Sequence, residues 1–226
     1  MAYILNIETA TKNCSVSVAN NGKTIALKEL NSGEYSHAEK LHEFIEDVIR
    51  KSEIELSNLK AVAVSKGPGS YTGLRIGVSA AKGLCFALDI PLISVDTLKT
   101  LALSVSIAEG CVIPLLDARR MEVYSSVFDS KNKKIREVKA EVITEDSFND
   151  FLIKHKVYFV GDGVEKCKGI ITSKNAFFVD DKLPSANEMA MLSYEKFIKN
   201  DIENVAYFEP FYLKDFVAIK SKKSLF

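Results

Sequence analysis

The strongest constraint on this chain is a repeated order of patterns. Sliding the sequence 109 residues along itself lays Glu8 on Asp117 and Cys14–Asn20 on Val123–Asp129. In both copies a short apolar run ends in an acid, Tyr3–Glu8 and Cys111–Asp117, and a strand-like run follows. Few residues are identical; what repeats is the sequence of elements. In the first copy Cys14, Val16 and Val18 alternate with Ser15 and Ser17, the period of a strand. Asn20-Asn21-Gly22 then separates that run from another, Lys23–Leu30. Asn-Gly between two such runs predicts a hairpin, because both residues tolerate positive φ. Three consecutive strands therefore open the chain.

Ser36-His37-Ala38-Glu39 has the form of a capping box, Ser at the N-cap and Glu three residues on. Behind it Leu41, Phe44, Ile45, Val48 and Ile49 fall on one helical face. Leu59–Ser65 reads as a strand, Lys66–Gly73 as a glycine-rich loop and Gly73–Leu88 as a helix. Pro91–Val95 is a further strand, and Asp96 or Thr97 caps a helix through about Ile107. The second half continues from Glu122–Asp129 through a turn at Ser130–Lys134 to a third strand near Val138–Thr144. A helix at Ser147–Lys154, strands at Val157–Gly161 and Ala176–Val179, and a helix at Ala186–Lys199 capped by Ser185 complete it.

Two βββα-type lobes, each with an acid closing its first strand, define an α/β fold. It is the duplicated ribonuclease-H-like architecture of actin, sugar kinases and Hsp70. The expected division is residues 1–105 and 106–226, the second lobe less complete and the last helix packing back on the first. Ligands of such a fold belong in the crevice between lobes, near the carboxyl ends of the strands.

Lys+Arg and Asp+Glu each number 30, so the whole molecule projects no strong field of either sign. A protein that grips nucleic acid alone gains affinity from a basic face, which this balance does not require. Lys214, Lys220, Lys222 and Lys223 near the end read as a solvated tail. Cys14, Cys85, Cys111 and Cys167 are far apart and form no Cys-x-x-Cys pair. No apolar run is long enough to span a bilayer, and no basic segment leads a long apolar one at the start. A reducing cytoplasm is the expected compartment.

Kinases and ATPases of this architecture carry Asp-x-Gly turns after the first strand of each lobe: glycine admits a phosphate, and the acid holds water or Mg²⁺. This chain offers Glu8-Thr9-Ala10 and Asp117-Ala118-Arg119, with a Cβ at both glycine positions and a longer first acid. Glu8, Asp117 and Asp162 (in Gly161-Asp162-Gly163) are thus degenerate nucleotide-site positions. Capping of local turns by Glu8 and Asp117 is favoured over metal binding. Lys66–Gly73 matches neither a P-loop nor a dinucleotide fingerprint. Its helix is poor in side chains (Gly73, Gly77, Ser79, Ala80, Ala81, Gly83) and makes sense if another helix approaches closely. An anion at the helix N-terminus, aided by Arg75, is the weaker reading. His37 and His42 are five apart, where a helical metal pair needs four, and read as surface or interface residues. Ser70 has no identifiable base, so neither a catalytic residue nor a metal or cofactor site is expected.

Several segments, in order, resemble the TsaB family, the YeaZ-type subunits that help install threonylcarbamoyl on tRNA adenosine. They are Ile4–Thr9, Ser36–Glu39, Gly67–Gly77, Ala81-Lys82-Gly83, Asp117–Tyr124 and Gly161–Gly163, with Glu8 where the family usually has Asp. The resemblance implies a non-catalytic paralogue of the TsaD-type transferase, lacking that subunit's His-x-x-x-His metal pair. It implies a heterodimer with TsaD, a homodimer, an ATPase (TsaE) that joins the complex, and tRNA contact only through the complex. The helices after the hairpin and after the glycine-rich loop would form the interfaces, placing His37, Leu41, Ile45, Gly73, Arg75, Gly77, Val78, Ala81 and Leu84 there. A small actin-like Mg-ATPase or kinase is the alternative, and peptidase activity ranks last.

Overall fold

The structure, a computed structural model, describes residues 1–31 and 37–214. Ser36 of the capping box and the tail lysines 220, 222 and 223 lie outside the described residues. Strands β1 (Tyr3–Glu8), β2 (Asn13–Asn20) and β3 (Lys23–Asn31) open the chain, followed by helix α1 (His37–Lys51). Then come β4 (Leu59–Gly67), α2 (Tyr71–Leu88), β5 (Leu92–Asp96) and α3 (Thr97–Leu103). The second half holds β6 (Cys111–Asp117), β7 (Glu122–Asp129), β8 (Lys134–Val142) and α4 (Asn149–Leu152). It ends with β9 (Val157–Val160), α5 (Glu165–Lys168), β10 (Ala176–Val179) and α6 (Ala186–Ile198).

Two five-stranded sheets result, ordered β3-β2-β1-β4-β5 and β8-β7-β6-β9-β10, so strand for strand the second repeats the first. In each, the first three strands are antiparallel and the last two run parallel to the first. The repeat includes the hairpins with one residue of difference: Glu8 faces Ser15 across the ladder, whereas Asp117 faces Val123. At the β2–β3 turn Asn21 and Gly22 take φ of 49° and 80°, as the dipeptide demands.

Each sheet is covered on both faces, which is why its central strands are buried almost throughout. On the first sheet, Leu5, Ile7, Val16 and Val62 pack with Leu41, Phe44 and Val48 of α1 and Val78 and Ala81 of α2. Its opposite face, Ile4, Ala61, Ala63 and Ile93, packs on Ala186 and Met189 of α6. The second sheet buries Ile113, Leu115 and Phe159 with Leu152 and Cys167 on one face. Its other face meets Leu98, Leu101 and Ala102 of α3. A cut near residue 105 would leave the back helix of each sheet on the far side of the division. The serines of β2 face α6: Ser17 Oγ donates to Ala186 O at 2.7 Å, and the Ala186 amide donates to Ser15 Oγ at 3.0 Å.

Some element limits differ from the sequence expectation. Helix α3 stops at Leu103, where the Ser104 hydroxyl donates to Leu101 O at 2.7 Å. Strand β8 begins at Lys134, inside the predicted turn, because its alternating charged residues lie on a half-exposed edge strand. The helix expected over Ser147–Lys154 is a four-residue turn, and α5 was not anticipated.

Candidate functional site

Chemistry in this architecture would sit where the β1–β2 and β6–β7 turns approach the glycine-rich loop and the Gly161–Gly163 turn. The first turn is locked on several sides. Glu8 is wholly buried, and its Oε1 accepts the Ala10 amide at 2.7 Å. Thr9 Oγ1 donates to Gly73 O at 2.8 Å, and the Ser70 amide donates to Ala10 O at 2.7 Å. The His37 ring donates from Nε2 to Thr11 O at 2.7 Å. Burial pushes the Glu8 carboxyl up to about 7, offset in part by the Ala10, Ser65 and Thr9 contacts; burial also lowers the imidazole of His37.

The glycines of α2 and of the loop before it follow from this lock. A Cβ at Gly73 would meet Thr9 O, one at Gly77 would meet Thr9 Oγ1, and one at Gly69 would lie 2.5 Å from Ala10 O. The close partner of this helix is therefore the chain's own β1–β2 turn. The amide of Gly73 is capped by Ser70 Oγ at 3.2 Å. Where a phosphate would sit on the helix N-terminus, Thr9 and Ala10 lie instead.

The second turn is pinned in the same manner. Asp117 Oδ1 accepts the Arg119 amide at 2.6 Å and Lys166 Nζ at 2.5 Å. The Asp117 amide donates to Asp162 Oδ1 at 2.9 Å. Gly161 (φ 117°) and Gly163 are small because Leu115 crosses them, and the Gly163 amide donates to Leu115 O at 3.1 Å. In both halves the acid closes its own turn. Among the described residues no three His, Cys, Asp or Glu side chains converge on a metal position. The four cysteines are buried, and burial drives each thiol up to about 11 or 12.

Of the residues expected at partner surfaces, Arg75 is exposed and Leu84 half-buried. His37, Leu41, Ile45, Gly73, Gly77, Val78 and Ala81 are buried within the chain. His42 is exposed and turned away from buried His37. Arg75 and Leu84 line a groove of about 620 Å³ with Ala38 and His42 of α1 and Ser79 and Gly83 of α2. Among the described residues nothing lies within 4 Å of where a Gly83 Cβ would be, and Phe86, one turn on, is 85% exposed.

The sequence reading missed the segment after α6. It crosses the first sheet's edge, Glu203 pairing with Leu92, and passes over α2, where Lys82 Nζ donates to Ala206 O (3.1 Å) and Phe208 O (3.2 Å). The Phe211 amide donates to Lys66 O at 2.7 Å, and Tyr212 takes a 3.3 Å bond from Arg75 Nε. Lys214 then bridges to Glu122 of the second sheet. No sequence period marks such a strap.

Fold and site define a duplicated ribonuclease-H-like protein of the actin and sugar-kinase class in which both phosphate-type turns are closed by the chain itself. A family model described as TsaD, tRNA N6-adenosine threonylcarbamoyltransferase, matches residues 32–222. The Escherichia coli tRNA threonylcarbamoyladenosine biosynthesis protein TsaB is 30% identical over 228 residues, 96% of each chain. A tRNA N6-adenosine threonylcarbamoyltransferase of Bacillus subtilis is 33% identical over 129 residues, covering 50% of this chain and 37% of its own. A solved Pseudomonas aeruginosa structure, described as similar to peptidase YeaZ, superposes with TM-score 0.78 at 24% identity, covering 95% of this chain and all of its own. The chain belongs to the TsaB family.

Proposed function

We propose that this chain is a non-catalytic subunit for synthesis of N6-threonylcarbamoyladenosine in tRNA. In this reading it binds and activates a TsaD-type transferase, helps recruit a TsaE-type ATPase, and works in the cytoplasm. The observation that carries the reading is the double closure: Glu8 and Asp117 spend their carboxylates on the amides of Ala10 and Arg119. With one oxygen of each acid held by its own turn, and Thr9 and Ala10 bonded to Gly73 and Ser70 at the helix N-terminus, neither turn is open to a Mg²⁺-bound phosphate.

The partner face is assigned to the groove between α1 and α2. Ser79, Ala80 and Gly83 give it a small-residue floor, flanked by Arg75 and Leu84, that another helix can approach. His37, Leu41, Ile45, Gly73, Gly77, Val78 and Ala81 support that floor from beneath. A second copy of the chain can use the same face in a two-fold homodimer, since an isologous interface pairs a patch with itself.

The test is threonylcarbamoyl transfer to unmodified tRNA with TsaE and the adenylate-forming enzyme present. The chain alone, TsaD alone and the mixture are compared. Transfer only in the mixture is the expected result. Transfer by this chain alone, or Mg-ATP turnover lost in Asp117→Ala, would overturn the non-catalytic reading.

A further inference from the structure

The formal charge of the chain is zero, yet its cations are unevenly placed. Five of them, Lys12, Arg119, Arg120, Lys166 and Lys214, gather around the β1–β2 and β6–β7 turns with three acids, Asp117, Glu122 and Asp162. Burial raises the carboxyl of Asp162, and the charges of Lys12, from the first lobe, and of Lys166 partly oppose that rise. The acids are already engaged. Asp117 holds Lys166 and the Arg119 amide, Asp162 takes the Asp117 amide, and Glu122 holds Lys214.

Lys12, Arg119 and Arg120 are different. All are exposed, and none forms an ion pair among the described residues. Arg119 and Arg120 also occupy consecutive left-handed backbone positions, φ 68° and 52°, at a turn where Asn or Gly would sit without strain. Unpaired guanidinium groups held at such a turn point to use of the charge itself. Tyr124 stands beside them, half-buried, its ring 6.0 Å from Lys214 Nζ and within the influence of Arg119.

We propose that Lys12, Arg119 and Arg120 form an edge that binds the phosphate backbone of RNA, so that this subunit touches the tRNA directly. The inference rests on the tRNA-modification reading above for the RNA being present. The geometry selects a backbone over a free nucleotide, because the turns beneath the cations are closed by their own acids. Long cationic side chains on an exposed ridge suit phosphates, which they grip without reading sequence. The alternative occupant, an acidic protein surface, is an outcome of the test.

The triple variant Lys12→Gln, Arg119→Asn, Arg120→Asn removes the charges while Asn tolerates the left-handed turn. Binding of unmodified tRNA transcript is measured by fluorescence anisotropy for the chain alone and for its mixture with the TsaD-type partner, from about 50 mM salt upward. The expected result is a loss of affinity of about tenfold or more at low salt. The slope of log affinity against log salt should fall by about 2–3, the value for three lost phosphate contacts. A control variant, Lys131→Gln with Lys133→Gln, removes exposed charges from the distant β7–β8 turn and should change little.

Equal loss in the control, or no loss in the triple variant, overturns the proposal. So does weakened partner binding with unchanged RNA affinity, which would assign the edge to a protein surface. If the chain and TsaD fail to associate, the partner reading fails on its own, and the chain-alone titration still decides this one.

Discussion

The carboxyl of Glu8 is fully enclosed, with Oε1 on the Ala10 amide and Oε2 buried without a hydrogen-bond partner among the described residues. Burial lifts it from 4.5 to about 7, so the folded chain binds this proton more tightly than the unfolded one. Stability from this group is therefore complete below pH 4.5 and is lost as pH rises through about 7. The full cost of ionising it in the fold is on the order of 3 kcal/mol. Glu8→Gln should accordingly raise the urea midpoint at pH 8.5 and change it far less at pH 5. A midpoint whose pH dependence survives the substitution would show that another group is responsible. The turn-closing role of Glu8 and Asp117 was legible, because an acid two residues before a free amide in a turn is a recurrent local bond. The burial of His37 was not: helical spacing places a residue on a face, but only the distant Thr11 carbonyl decides that this face is inside.

Helix α2 shows the same limit one level up. Its run of glycine and alanine signals a close neighbour, and the sequence suggests a helix, whereas the neighbour is the Thr9–Ala10 turn. Residue type reports how near something comes, not what it is. The amphipathic face of α1 was readable apart from His37, since Leu41, Phe44, Ile45 and Val48 recur at helical period and are buried, with Ile49 half-buried beside them. Short elements such as α5 span too few residues for any period to declare itself. Gly77 and Gly83 of α2 should behave oppositely on substitution. Gly77→Leu drives a side chain into Thr9 and should cost about 1–3 kcal/mol or more by overpacking. Gly83→Leu enters open space, gains about 1 kcal/mol of helix propensity, and leaves the fold intact. It should nevertheless weaken TsaD binding at least tenfold by filling the groove. Urea melts and calorimetric titration separate the two effects; full affinity in Gly83→Leu would move the partner face elsewhere.

The duplication was visible in the sequence as an order of elements, and the two sheets repeat it strand for strand. The sequence reading places the last helix back on the first lobe; the reciprocal half of the exchange, α3 on the second sheet, carries no sequence signal. Ser15 and Ser17 look like the solvent face of an alternating strand, yet they dock the first turn of α6, about 170 residues away. The exchange makes the halves interdependent. Without α6, the first sheet would expose Ile4, Ala61, Ala63, Ile93 and Val95 to water. At about 25 cal/mol per Å² of apolar surface, uncovering these side chains would remove several kcal/mol, comparable to the net stability of an ordinary domain. Ser15 and Ser17 would also lose their helix partners, and the strap from Glu203 to Lys214 would be gone. A fragment of residues 1–105 should therefore lack a cooperative melt and exchange its β1 and β4 amides freely. In the whole chain, hydrogen exchange should protect β1 and β6 to the same free energy, because each sheet is covered by a helix from the other half and neither half can unfold alone without uncovering the other. Strong protection of β1 in the isolated fragment would mean that α1, α2 and the front core suffice. The lobes would then be separate folding units held together by α3 and α6 only after each has formed.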